Sequence, residues 1–285
     1  MKNLCKLGCL LALLSSTNGQ TPLLRYSFDE ASGDAVDSGS APAANGTLNG
    51  GAVRSTNTPS GTGSSVSFLS ESPYAYVLGP DGDKLDGLNQ ITLTTWLNLS
   101  SYTSGNNRLF SKQAATTFGG FSWNMNAIPN SDPVSADNFR LGLFLGNNVS
   151  AGANDFVSVF SNDDVGAADR WVFLAVTYNG TIATDNVRFY IGSPSTPVTL
   201  VGTPLTTLQL TIDAGSARAG VGFTDAAPTA NTSAIGLQDD VRVYGTALDS
   251  AALDQIRLAN LVPEPSTTLI AGSTLLLGAC RRRRR

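Results

Sequence analysis

The chain contains no histidine. That absence removes a histidine general base, a Ser-His-Asp or Cys-His nucleophile system, and every histidine-ligated metal. Charge is scarce too: 14% of residues are charged, against about a quarter in an average soluble domain. Cysteine is confined to Cys5, Cys9 and Cys280, near the two ends. The long stretch between them therefore has no disulfide, no thiolate metal site and no cysteine nucleophile. Glutamate is nearly missing from that stretch as well, which holds only Glu30 and Glu71 between residues 21 and 262. No Gly-x-Gly-x-x-Gly sits between a strand and a helix, and no Gly-x-x-x-x-Gly-Lys-Ser/Thr loop occurs.

What is present is an acidic body between two unusual ends. At 285 residues and 29.6 kDa the chain is long enough for one sizeable domain. Residues 21–262 carry 21 acidic side chains and 11 basic ones. A body so acidic is repelled by nucleic acid and by anionic lipid. The first residues place Lys2 and Lys6 around the apolar run Leu7–Leu14, followed by small polar residues to Gln20. This is the pattern of a secretory signal peptide over residues 1–20, with cleavage expected between Ser16 and Thr21. At the other end, residues 261–285 hold Pro263-Glu264-Pro265, an uncharged stretch Ser266–Cys280, and Arg281, Arg282, Arg283, Arg284 and Arg285. As a helix that uncharged stretch would cover about 22 Å, short of a hydrocarbon core of about 30 Å. It reads as a short transmembrane helix held on the cytoplasmic side by its arginines.

Between the ends, short β-like runs alternate with Gly, Ser, Asn and Asp turns. The runs are Leu23–Phe28, Ser65–Phe68, Tyr74–Leu78, Ile91–Leu99, Arg108–Lys112, Gly120–Asn126, Phe139–Leu145, Phe156–Ser161, Trp171–Tyr178, Val187–Ile191, Thr199–Val201, Ala219–Phe223 and Asp240–Tyr244. Ile91, Leu93, Leu97 and Leu99 fall on one face of their run, and Thr92, Thr94, Trp96 and Asn98 on the other. Trp171–Tyr178 is apolar on both faces and reads as a central strand. Ala31–Ser65 reads as a long loop, with Leu48, Val53 and Val66 pinning it to the body. One helix is expected after Asp249 as its cap, with Ala252, Leu253, Ile256 and Ala259 on its apolar side. About a dozen strands without intervening helices predict an all-β, two-sheet antiparallel sandwich over residues 22–260.

Two resemblances extend this reading. The Pro263-Glu264-Pro265 motif, the apolar stretch and the terminal arginines, in that order, resemble the PEP-CTERM sorting signal of exported bacterial proteins. The resemblance implies processing by an exosortase-type protease, transient membrane attachment through the C-terminal segment, and a final place at the cell surface or in the extracellular matrix. In the body, four stretches in order resemble the laminin-G-like, concanavalin A-like jelly-roll family of lectins and glucanases. They are Tyr26-Ser27-Phe28-Asp29-Glu30 with Val36-Asp37-Ser38-Gly39 and Asn45-Gly46; Ile91–Leu97; Arg170–Gly180 with Val187–Gly192; and Ile235–Leu248.

The glucanases of that fold set their acids as Glu-x-Asp-x-(x)-Glu, and this motif is absent here. Asp163-Asp164 and Asp239-Asp240 are adjacent pairs, whose members on a regular strand point to opposite faces. The body is accordingly read as a non-enzyme that binds carbohydrate or protein. A glycan-active hydrolase or a purely structural matrix protein are the alternatives. Some members of the resembled family hold a structural Ca²⁺ between first and last strands, which implies Asp37, Asn45 and Asp239 as its ligands here. Asp81-Gly82-Asp83 with Asp86-Gly87 reads as a turn rather than a calcium loop, since no Glu closes it. Tyr74, Tyr102, Phe118, Phe121 and Trp123, beside Asn106-Asn107 and Asn147-Asn148, are the candidate aromatics for a sugar platform.

Overall fold

The computed structural model describes residues 20–68, 75–81, 83–101, 107–114, 119–126, 136–146, 156–215, 217–223, 225 and 234–262. The leader is thus described only at Gln20, and Pro263, Glu264, Pro265 and Arg281–Arg285 lie outside the described residues. Tyr74, Tyr102, Phe118, Asn106, Asn147 and Asn148 lie outside them too.

The described chain forms an antiparallel two-sheet sandwich of jelly-roll type. In chain order the strands are β1 (Leu24–Tyr26), β2 (Thr47–Asn49), β3 (Val53–Ser55), β4 (Ser65–Ser67), β5 (Tyr76–Asp81), β6 (Gln90–Ser101), β7 (Asn107–Gln113) and β8 (Gly120–Asn126). They continue as β9 (Arg140–Gly146), β10 (Phe156–Phe160), β11 (Val172–Asn179), β12 (Val187–Gly192), β13 (Thr199–Leu200), β14 (Arg218–Val221) and β15 (Ile235–Tyr244), before helix α1 (Ser250–Leu261). One sheet runs β13-β12-β11-β6-β15-β4-β3, with β1 also paired to β15. The other runs β10-β9-β8-β7-β14-β5-β2.

Period-two alternation explains where each sheet puts its side chains. Ile91, Leu93, Leu97 and Leu99 of β6 enter the main core between the sheets, while Trp96 belongs to a second cluster. Strand β11, flanked by β6 and β12, sends Val172, Leu174, Val176 and Tyr178 inward and Phe173 and Ala175 outward. The outward set is buried because α1 lies over it. Leu253 and Ile256 of the helix join Trp96, Trp171, Phe173 and Tyr190, and Trp96 meets Phe173 edge-on at 5.4 Å. The helix starts where its cap predicts, with Asp249 Oδ1 accepting the Ala252 N–H at 2.8 Å. Ala259, expected on its apolar side, is exposed. Arg257 is buried instead, held by Asp254 at 2.7 Å and by the Ser193 carbonyl at 2.8 Å.

The stretch Ala31–Ser65 differs from its expectation. It contributes two edge strands, β2 and β3, one to each sheet. Leu48 and Val66 do pack against the core, but Val53 is 56% exposed. Three-residue edge strands give too little alternation to be recognised locally, and their pairing partners lie far along the chain. Asp83–Leu85 forms a short 3-10 turn and Asp86 pairs with Lys112 at 2.6 Å, while Gly82 of that stretch lies outside the described residues.

Candidate functional site

Strand β15 changes partner along its length. Leu237 and Gln238 pair with β4, whereas Val241, Arg242 and Val243 pair with β1. Between these two partners the ladder to β6 is bulged: Asp239 opposes Trp96, Arg242 opposes Thr94, and Asp240 has φ 46°. The inserted residue reverses the alternation. Leu237 and Asp239 face outward before the bulge, and Asp240, Arg242 and Tyr244 do so after it, while Val241 and Val243 enter the core. The expectation that Asp239 and Asp240 point to opposite faces is therefore corrected. The rule assumes a regular strand, and this one is not regular at that place.

The gap opened by the partner change is a cavity of about 660 Å³. Arg25, Ser27 and Asp29 line it from β1 onward, Ser60, Thr62 and Gly63 from the approach to β4, Asp239 from the bulge, and Ala259, Asn260 and Val262 from the end of α1. The 57–64 loop is held in place at several points. Trp171 Nε1 donates to Asn57 Oδ1 at 3.0 Å, Thr58 Oγ1 to the Thr62 carbonyl at 2.9 Å, and the Ser64 N–H to Asp29 Oδ1 at 3.0 Å. Gly63 has φ 80°, a conformation that favours glycine, and a Cβ there would push Asp29 Oδ1 from its place.

The charges around the cavity differ sharply in state. Burial pushes the Asp239 carboxyl well above the usual range, helped by the negative charges of Asp240 and Asp29. Asp239 is 4% exposed, and its Oδ1 accepts the Asp240 N–H at 2.8 Å. Burial acts on Asp240 in the same direction, but the guanidiniums of Arg242 and Arg25 outweigh it and hold that carboxyl below the usual range. Arg25 Nε reaches Asp240 Oδ1 at 2.9 Å, and Arg242 reaches Oδ2 at 2.6 Å. Asp240 thus spends both oxygens on arginines. Asn260 lines the cavity, and its Oδ1 is buried with no hydrogen-bond partner among the described residues. A second cavity of about 470 Å³ lies on the other flank of α1, lined by Gln20, Arg242, Tyr244, Asp249 and Gln255 among others.

Of the three residues implied as calcium ligands, Asp37 and Asn45 meet, while Asp239 lines the cavity at the β15 bulge. The Asp37 N–H donates to Asn45 Oδ1 at 2.9 Å. The Asp37 carboxylate accepts the N–H groups of Arg25 (3.0 Å), Gly39 (2.9 Å) and Ala44 (2.9 Å), and the Lys84 ammonium. Burial raises its pKa, but Lys84 and these amides bring the net shift below the usual range. The charges acting on Asp239 are those of Asp240, Asp29 and Arg25. With an ammonium on Asp37 and the Asn45 oxygen already used, this set does not fit a divalent ion. Among the described residues no group of three or more acidic side chains gathers for a metal.

The aromatics expected to form a sugar platform are core where they are described: Phe121 and Trp123 are buried between the sheets. The outward aromatics that sequence reasoning missed are Phe144, Phe156 and Phe160. Alternation turns them away from Leu143, Leu145, Val157 and Val159, and the Phe144 ring lies 5.6 Å from Phe156 and 5.7 Å from Phe160. Phe156 is 38% exposed. Their odd–even placement against the core residues was the available signal.

No family model matches the chain. No curated protein sequence matches it either. Solved structures do. The binding domain of Paraclostridial Mosquitocidal Protein 1 superposes with a TM-score of 0.55 at 9% identity, covering 83% of this chain and 51% of that one. The binding domain of botulinum neurotoxin serotype D/C VPI 5993 gives 0.55 at 13% identity, covering 85% and 53%. Domain 4 of AbnA, a GH43 extracellular arabinanase from Geobacillus stearothermophilus solved in complex with arabinotriose, gives 0.52 at 16% identity, covering 83% and 98%. This chain spans about half the length of the toxin domains and nearly all of the arabinanase domain. At these identities the likeness is one of fold. Among the described residues no helix is long and apolar enough to cross a membrane.

Proposed function

We propose that this protein is an exported, non-enzymatic binding module whose ligand is a carbohydrate, taken up in the cavity between β1, the bulge of β15 and the end of α1. The observation that carries the reading is the mixture of groups in that cavity. Hydroxyls of Ser27, Ser60 and Thr62 and the Arg25 guanidinium stand beside the acceptors of Asp29, Asp239 and Asn260. A sugar hydroxyl both donates and accepts, so a polyol satisfies the two kinds at once. Asn260 lines the same cavity, and its side-chain amide carries both a donor and an acceptor. The volume suits one to a few sugar rings. The signal-like leader and the sorting-signal resemblance support export to the cell surface or matrix, with an exosortase-type protease as processing partner.

The opposed titration of Asp239 and Asp240 favours a second reading, a glycan hydrolase, because paired acids with divergent pKa values are a mark of acid–base sites. Against it, Asp240 is wholly buried and each of its oxygens accepts from an arginine, so a substrate reaches it only by displacing them.

The test is a glycan array followed by calorimetry on the strongest neutral oligosaccharide, arabinotriose included. Asp29→Ala and Asn260→Ala are each expected to weaken binding about tenfold, while Phe156→Ala leaves it unchanged. Loss in Phe156→Ala alone would move the site to the seven-stranded sheet. Release of reducing ends would establish the hydrolase, and silence across the array would favour a structural matrix protein.

A further inference from the structure

Lys84 crosses 47 positions of sequence to reach Asp37. Its ammonium meets Asp37 Oδ2 and donates to the Ser40 carbonyl at 2.7 Å. The Lys84 side chain is 7% exposed and that of Asp37 0%. A carboxylate oxygen and a main-chain carbonyl converging on one point, away from water, are two oxygens of the kind a hard cation takes, where Ca²⁺ needs about six to eight. Here that point is already held by a positive charge from the chain itself. The surroundings are built for it. Asp37 is fixed by the amides of Arg25, Gly39 and Ala44, and its own N–H is fixed by Asn45. Tyr26 Oη donates to the Ala44 carbonyl at 2.6 Å, closing the same loop onto the core.

We propose that Lys84 is a tethered cation. Its ammonium, brought from the turn before β6, supplies the positive charge that Asp37 was expected to draw from a divalent ion, and it makes this corner of the fold independent of calcium. The tether removes the need for a free ion to be captured from solution, so no ion concentration governs whether the loop is ordered. Ser38, on the same loop, lines the large cavity beside Arg25. The shape of that wall is then also independent of calcium, whatever the cavity binds.

The experiment is thermal unfolding of the full chain and needs no ligand. The unaltered protein is expected to melt at the same temperature in calcium chloride and in EDTA. Lys84→Met is expected to melt about 10 °C lower, because it leaves a buried carboxylate without its counter-charge. Lys84→Ala leaves room for a free cation, and millimolar calcium chloride or methylammonium chloride should restore part of the loss, with tetramethylammonium chloride as the oversized control. If Lys84→Met is too unstable to study, Asp37→Asn combined with Lys84→Met should recover stability relative to Lys84→Met alone, since the two act as one unit. A calcium-dependent rise in the melting temperature of the unaltered protein would overturn the proposal. So would a Lys84→Met protein that melts like the parent, or a Lys84→Ala protein that no small cation stabilises.

Discussion

At the scale of single residues, the outer face of β15 shows how position decides charge state. Asp239 and Asp240 are neighbours with the same chemistry, yet one is driven toward its neutral form and the other held ionised. The difference lies in the two arginines, both of which reach Asp240. Replacing Asp240 with alanine strands Arg25 and Arg242 around a buried void. We expect a loss of about 3 kcal/mol, read from urea unfolding. Asp239→Asn keeps the shape and removes only the capacity to ionise. The expected result is a higher melting temperature than the parent at neutral pH, narrowing to no difference in acid.

At the scale of elements, α1 is more than a chain-end ornament. It covers the outward apolar residues of β6, β11 and β12 and forms one wall of each cavity beside it. Its cap and its packing contribute through different forces. Asp249 satisfies one amide of the first turn, and truncating such a cap costs about 1 kcal/mol. Leu253 is fully buried against Trp96 and Phe173. Leu253→Ala leaves a void there and should cost about 3 kcal/mol. We expect chemical denaturation to rank Leu253→Ala well below Asp249→Ala. Both should raise amide exchange in α1 while leaving the seven-stranded sheet protected. Equal protection loss in both sheets would mean that the helix and the sandwich unfold only together.

At the scale of the whole molecule, the pH dependence of stability in the acid to neutral range follows from four carboxyls. Asp37, Asp240 and Asp254 lie below the ordinary aspartate value of 3.8 in the fold. Their contribution is complete above that value and is lost as pH falls through their folded values, where the unfolded chain binds protons first. Asp239 lies above 3.8 in the fold. It keeps its proton there while the unfolded chain releases one, so its contribution declines as pH rises from 3.8 and then levels off. The urea midpoint should therefore drop steeply in acid and slope gently downward above the maximum. Asp239→Asn should flatten only the second slope.

The sequence alone determined the chemistry that is missing and the class of fold. Histidine, body cysteine and paired glutamates are properties of composition, and alternation along β6 and β11 is a local property of a strand. The start of α1 at Asp249 was equally local. The resemblance implied Asp37, Asn45 and Asp239 as one ligand set; the fold joins the first two by a hydrogen bond and puts Asp239 at the cavity beside the β15 bulge. Only the tertiary structure decided the rest. An inserted residue in β15 reversed the outward face, and nothing within that strand marks the insertion, because a bulge is defined by the register of its partners. Lys84 became the partner of Asp37, and Arg25 of Asp240, across long separations. Which charges end up buried together depends on how the sheets close, and that is set by the sum of all strand pairings rather than by any segment of the chain.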